Sequence, residues 1–162
     1  MADYAEFARY AQLYPEDALQ EASFARLVWD ASREVDNLTT GVDGVRKLKV
    51  AYPTDEDDAE CVTRCVCAVV HDLYQIEQAQ AAASYTTKED GTVSPRAVSS
   101  ISAGNESISY ANSGKSAYTE AATDATARKA LVRGTIERYL SGVCDANGVR
   151  LLYMGVYPVR PT

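Results

Sequence analysis

The stretch PTDEDDAECVTRCVCAVVHDLYQIEQAQAAAS, Pro53 to Ser84, decides the fold. Pro53-Thr54 supply a helix start, and the carboxylates of Asp55, Glu56, Asp57 and Asp58 follow at the positive end of the helix dipole, where negative charge is stabilising. Val62, Cys65 or Val66, Val69, Leu73 and Ile76 then recur at helical spacing, with no Pro or Gly before Ser84 to interrupt them. About 28 residues at 1.5 Å each make a rod of roughly 42 Å. Such a rod is the spine on which shorter elements pack. The acidic run spreads around the helix start instead of converging and lacks the D-x-D-x-D-G loop of a calcium site, so it reads as a solvated cap.

The same stretch holds Cys61, Cys65, Cys67 and His71, a spacing that invites a zinc reading. Helical geometry opposes it. At about 100° per residue, Cys61 and Cys65 share a face, whereas Cys67 and His71 lie roughly 240° and 280° round from Cys61. The cysteines read as small buried apolar side chains in a reducing compartment, with Cys144 far away in sequence. His71 is the only histidine, which removes most acid-base and nucleophilic schemes. No carboxylate pair has a forced geometry and no glycine-rich nucleotide loop is present. NSGKS, Asn112 to Ser116, lacks the upstream Gly of a phosphate loop. The reading is of a chain that is not an enzyme, with no catalytic residue, no metal site and no cofactor.

Working outward, Tyr4, Phe7, Ala11 and Tyr14 follow a 3-4-3 spacing that predicts a short amphipathic helix ending at Pro15. A second helix is predicted from about Glu16 to Leu38, with Phe24, Leu27, Val28, Ala31, Val35 and Leu38 on one face. Thr40 to Ala51 is a connector in which KLKVAY forms a short extended piece. After Tyr85, TTKEDGTVSPRA reads as a mobile loop. A last helix is predicted from about Thr119 to Ser141, with Ala125, Val132, Ile136, Tyr139, Leu140 and Val143 on its apolar side and Gly142 as its stop. The tail from 148 to 162 carries an apolar run and Pro158 and Pro161, and reads as extended. It is either a strand closing the subunit or a segment offered to a partner.

Between the two long helical blocks lies VSSISAGNESISYANS, Val98 to Ser113. Ile101 and Ala103, then Ile108 and Tyr110, fall at period two. Ser102, Ser107 and Ser109 take the opposite face, and the turn between them contains Asn105. This is a Ser-rich hairpin, marginal in water unless something covers it, so assembly is expected. The fold class is therefore mainly α: a small helical bundle with a long central helix, a projecting β-hairpin at 98–113 and an extended C-terminal tail, all in one domain of 162 residues with a helical extension at 1–15.

A formal charge of −7 argues against tight, sequence-independent nucleic-acid binding, which needs clustered Lys and Arg. Mean hydropathy is −0.26, and no apolar run approaches the roughly 20 residues that cross a bilayer. The opening MADYAEFARY has neither the basic flank nor the apolar core of a signal peptide. No membrane is expected as a partner, and the expected location is a cytoplasm.

The order of these features resembles a family. A helix ends in a D-x-L-T element, here Val35-Asp36-Asn37-Leu38-Thr39. A long helix rich in small apolar residues follows, then SSISAGNESISYANS, a C-terminal helix ending YLSG and a short apolar tail. Over roughly Ala18 to Leu152 this is similar to the head-to-tail connector family of tailed phages, also called adaptor or head-completion proteins. The Tyr-rich N-terminal extension and the cysteines of the spine depart from the family's pattern. The resemblance implies a virion structural protein, assembled in the host cytoplasm, that forms a dodecameric ring at the head-to-tail interface. That ring would sit beneath the portal protein after packaging, extend the DNA channel, and present a platform for stopper or tail-completion proteins. DNA would pass through without specific binding, which a Ser-rich, acidic surface favours. It implies that Ile101, Ser102, Asn105, Ile108, Ser109 and Tyr110 form the subunit-interface or channel hairpin. It also implies that Leu151, Leu152, Tyr153, Val156 and Tyr157 form a portal-docking tail. The alternative is a small cytoplasmic helical regulator, a dimer that binds a protein through its long helix.

Overall fold

The computed structural model describes residues 4–87, 93–95 and 116–158. Among them are helices α1 (Phe7–Leu13), α2 (Glu21–Thr39), α3 (Lys47–Val50), α4 (Glu56–Ser84), α5 (Ala117–Thr123) and α6 (Ala125–Leu140), with short strands β1 (Tyr85–Thr87) and β2 (Val93–Pro95). The protein is mainly helical, as the periodicity predicts. The hairpin expected at 98–113, with Ile101, Ser102, Asn105, Ile108, Ser109 and Tyr110, lies outside the described residues.

The 29-residue α4 is the spine. Its N-cap is Asp55, whose Oδ1 accepts from the backbone N–H groups of Asp57 and Asp58, both at 3.1 Å. Residues 65–70, CVCAVV, are buried without a break. A helix buried all round must be covered from several directions, not along one stripe. The cover comes from α2, α5 and α6, with α1 touching both α2 and α4. Val62, Val66, Val69, Val70 and Leu73 of the spine meet Phe24, Leu27, Val28, Ala31 and Val35 of α2 and Val132, Ile136 and Leu140 of α6 in one core. Each such fully buried aliphatic side chain stabilises the fold by about 1.5–3 kcal/mol. Tyr10 joins this core from α1, its ring 5.4 Å from that of Phe24.

Several expectations are corrected. Helix α2 begins at Glu21, not near Glu16: Asp17 is drawn instead toward α1 and α4, where it accepts from Tyr10 Oη at 2.5 Å and Gln75 Nε2 at 3.1 Å. The predicted helix over 119–141 is two helices. Asp124 is extended (φ −119°, ψ 117°) and serves as the C-cap of α5 and the N-cap of α6, its Oδ1 accepting from Thr126 N at 2.7 Å. A short carboxylate that bonds the backbone locally competes with helix continuation. Ser116, the last residue of NSGKS, is a helix cap, accepting from Thr119 N at 3.2 Å. KLKV is a helical turn and not an extended piece. Part of the stretch read as a mobile loop is an antiparallel ladder leaving the end of α4, with Tyr85 opposite Pro95, Thr86 opposite Ser94 and Thr87 opposite Val93.

As far as Pro158, the last described residue, the chain beyond α6 is folded in turns against the body and not extended. Gly142 (φ 89°) ends α6 in the left-handed conformation that favours glycine. Cys144 and Arg150 then pair as an isolated antiparallel bridge around the Asn147-Gly148 turn, with Gly148 at φ 74°. Leu151 N donates to Val143 O at 2.9 Å, turning the chain back over the body. No described helix is long and apolar enough to cross a membrane.

Candidate functional site

The segment Leu151 to Pro158 is held by Asp43 of the α2–α3 connection, by Lys47 at the start of α3 and by Asp145 beyond α6. Lys47 is fully buried. Its Nζ donates to Thr39 O at 3.1 Å, to Leu151 O at 2.9 Å and to Tyr153 O. An ammonium has three protons, and here each goes to a main-chain carbonyl. Burial pushes the Lys47 amine below its ordinary value, against the pull of the Asp145 and Asp43 carboxylates. Asp43 Oδ2 accepts from Tyr157 N at 2.8 Å, which holds its carboxyl below the usual range. Asp145 accepts from Asn147 N and Val149 N, both at 2.9 Å, and from Tyr157 Oη at 2.5 Å. Burial raises the Tyr157 phenol, and the Asp145 carboxylate adds to the rise while the Asn147 amide opposes it.

Backbones approach closely here. A Cβ on Gly41 would stand 2.8 Å from both Gly155 O and Asp43 Oδ1, and one on Gly155 would run into the Tyr153 ring. Val42 N donates to Met154 O at 3.3 Å. The two stretches together carry four exposed apolar side chains: Val42 (73%), Tyr153 (49%), Met154 (50%) and Val156 (66%). The result is an apolar patch on a braced backbone.

The five tail residues singled out from the sequence thus divide. Leu151 and Tyr157 are buried and Leu152 is half-buried, so these belong to the subunit's own packing. Tyr153 and Val156 face outward. Val42, Met154 and the Lys47 brace were missed. Nothing in the pattern distinguishes Lys47 from Lys49, which lies 3.5 Å from Asp36 Oδ2 at the protein surface.

His71 ties the N-terminal extension to the spine. Its Nδ1 is 2.7 Å from Asp17 Oδ2, a hydrogen bond when Nδ1 carries the proton, and its ring stacks on Tyr14 at 4.4 Å. Asp72, buried on the next position of α4, accepts from Tyr118 Oη at 3.0 Å and Thr135 Oγ1 at 2.5 Å, joining α5 and α6 to the spine. Cys65 and Cys67 are both fully buried, and burial pushes their thiols up to about 12 and about 11. Such thiols are packing groups and not nucleophiles. No group of three or more His, Cys, Asp or Glu among the described residues is placed to hold a metal ion. No family model, no curated protein and no solved structure matches the chain.

Proposed function

We propose that this chain is a structural subunit of a tailed-phage head-to-tail connector, forming a ring between the portal and the stopper or tail proteins and extending the DNA channel. The observation that carries the reading is the braced apolar patch. A segment fixed by Lys47, Asp43 and Asp145 presents Tyr153, Met154 and Val156 beside Val42, which is the form of a docking face and not of a catalytic pocket. The similarity of VDNLT, SSISAGNESISYANS and YLSG to the connector family supports it. The formal charge of −7 supports a channel wall that does not grip DNA. The work is mechanical, without turnover, and its partners are the portal, a tail-completion protein and further copies of the chain.

Negative-stain electron microscopy of the purified protein, with light-scattering mass on the same sample, tests the ring: closed rings with a central channel are expected. A compact dimer at every concentration would instead favour a helical regulator. Portal attachment tests the patch. Tyr153→Ser with Val156→Ser should weaken capture by the portal while circular dichroism is unchanged. Leu151→Ser should lower stability first, because that side chain is inside the fold. Undiminished capture by the double variant would remove the patch from the interface.

A further inference from the structure

Helix α1 and the first half of α2 leave an open groove of about 600 Å³ between them. Phe7, Ala8 and Ala25 are its accessible apolar lining, over a floor of the buried Ala5, Phe24 and Val28, and the Phe7 ring meets that of Phe24 edge to face at 5.5 Å. Its polar margin is acidic, made by Glu6 and Glu21, and neither carboxylate forms an ion pair among the described residues. Trp29, the only tryptophan and 44% exposed, stands one helical turn beyond Ala25. An aromatic-walled groove with a carboxylate margin suits an extended, proline-bearing segment that carries a cation.

The chain contains such a segment. Beyond the braced patch the sequence runs Pro158-Val159-Arg160-Pro161, two prolines at the spacing of a polyproline turn, with apolar Val159 and cationic Arg160 between them. We propose that the α1–α2 groove receives this segment from a second copy of the chain, with Val159 and the prolines against the aromatic wall and Arg160 at Glu21. The segment cannot serve its own Glu21. Tyr157 N is fixed to Asp43, just beyond the C-terminal end of α2, whereas Glu21 is at the other end, about 27 Å up the helix. Arg160 is only two residues past Pro158, about 7 Å of chain. Glu21 and Pro158, the last described residue, are at opposite ends of α2, so a segment that reaches Glu21 comes from another copy and the contact is head to tail; successive contacts close into a ring or run on as a filament. The inference rests on the connector reading for the choice of a ring.

The test uses the full chain. Mass against concentration is measured by light scattering for the wild type, Glu21→Lys, Arg160→Glu, the double charge swap, and Ala25→Glu. Ala25 is exposed, so its variant keeps its helix content. Each single reversal should move the association midpoint about five-fold to higher concentration, the swap should restore it, and Ala25→Glu should lose association. A synthetic peptide of sequence GVYPVRPT should dissociate the wild-type assembly and shift Trp29 emission, with no shift in Ala25→Glu. A wild type that stays monomeric and ignores the peptide overturns the inference. Rings unaffected by Ala25→Glu and both reversals overturn the groove contact but leave the connector reading intact. Charge-swap rescue in an assembly of open filaments keeps the groove contact and counts against the ring.

Discussion

Replacing Lys47 by Met removes the brace while keeping a long unbranched side chain in its place. In the wild type the buried ammonium satisfies the carbonyls of Thr39, Leu151 and Tyr153. Leaving each of those acceptors unpaired costs about 1–3 kcal/mol, a gross loss of about 3–9 kcal/mol. Against that, the variant no longer buries a charge, whose effective desolvation penalty is several kcal/mol. The net expected loss is about 2–4 kcal/mol, or roughly 10 °C in Tm for a domain of this size. Urea unfolding followed by circular dichroism gives the stability change, and limited proteolysis locates it. Cleavage should begin at Tyr153 and Tyr157, before the helices open. The pH dependence supplies a second check. The folded state lowers the Lys47 pKa, so it gives up its proton before the unfolded chain does. Stability from this group therefore rises with pH from the lowered value up to the ordinary one of 10.5. That rising component should vanish from the wild-type-minus-K47M difference if the amine is not the buried group. A K47M protein within about 0.5 kcal/mol of wild type, cleaved where the wild type is cleaved, would refute the brace.

Other outcomes follow from the same packing. Asp124→Ala, which removes the cap between α5 and α6, should cost about 1 kcal/mol in urea unfolding, and Asp124→Asn much less; equal losses would mean the side-chain acceptor is not what matters. Thiol titration of the native protein should find Cys61 and Cys144 quickly and Cys65 and Cys67 only after urea is added, so four fast thiols in the native state would contradict the buried spine. Folding raises the pKa of Cys65 to about 12, Cys67 to about 11 and Tyr118 to about 12, burial being the first cause in each. These groups contribute stability that is complete below pH 9, the ordinary thiol value, and is lost as pH rises through 11 to 12. The urea midpoint should fall between pH 8 and pH 11, Lys47 opposing with one group against several, and a flat or rising midpoint would contradict the burial of the thiols.

The spine was legible because three independent signals agree over Pro53 to Ser84: dipole-matched carboxylates, a helical repeat, and the lack of breakers. The inward face of α2 was legible from its apolar repeat alone: Phe24, Leu27, Val28, Ala31 and Val35 are all buried and Leu38 is half-buried. What escaped depends on partners remote in sequence. The start of α2 is displaced by Asp17, whose partners include His71 and Gln75, 54 and 58 positions away. Lys47 lies inside because carbonyls 104 and 106 positions away meet it there, and K-L-K in isolation reads as alternation with both lysines outward. The split at Asp124 is a local event, but T-D-A-T fits both a helix interior and a cap, and the choice rests on how α5 and α6 lie on α4.

The division of the tail bears on how a connector subunit could hold a partner. If Leu151 and Tyr157 were themselves contacts, the segment would have to leave the body to be used, and each docking event would pay the ordering cost of a mobile peptide, about 0.5–1.5 kcal/mol for each immobilised side chain. The observed arrangement meets that cost within folding, since Leu151, Tyr157 and the Lys47 ammonium fix the backbone before any partner arrives. The exposed remainder, Tyr153, Met154, Val156 and Val42, is four side chains, against roughly 20–30 residues per partner in a stable interface. One subunit would therefore hold weakly. A ring repeats the patch at fixed spacing, so each contact after the first is made at high effective concentration. Weak single docking and strong collective docking are then two results of one design, and a ring-disrupting substitution far from the patch should weaken portal capture as severely as the loss of Tyr153 and Val156.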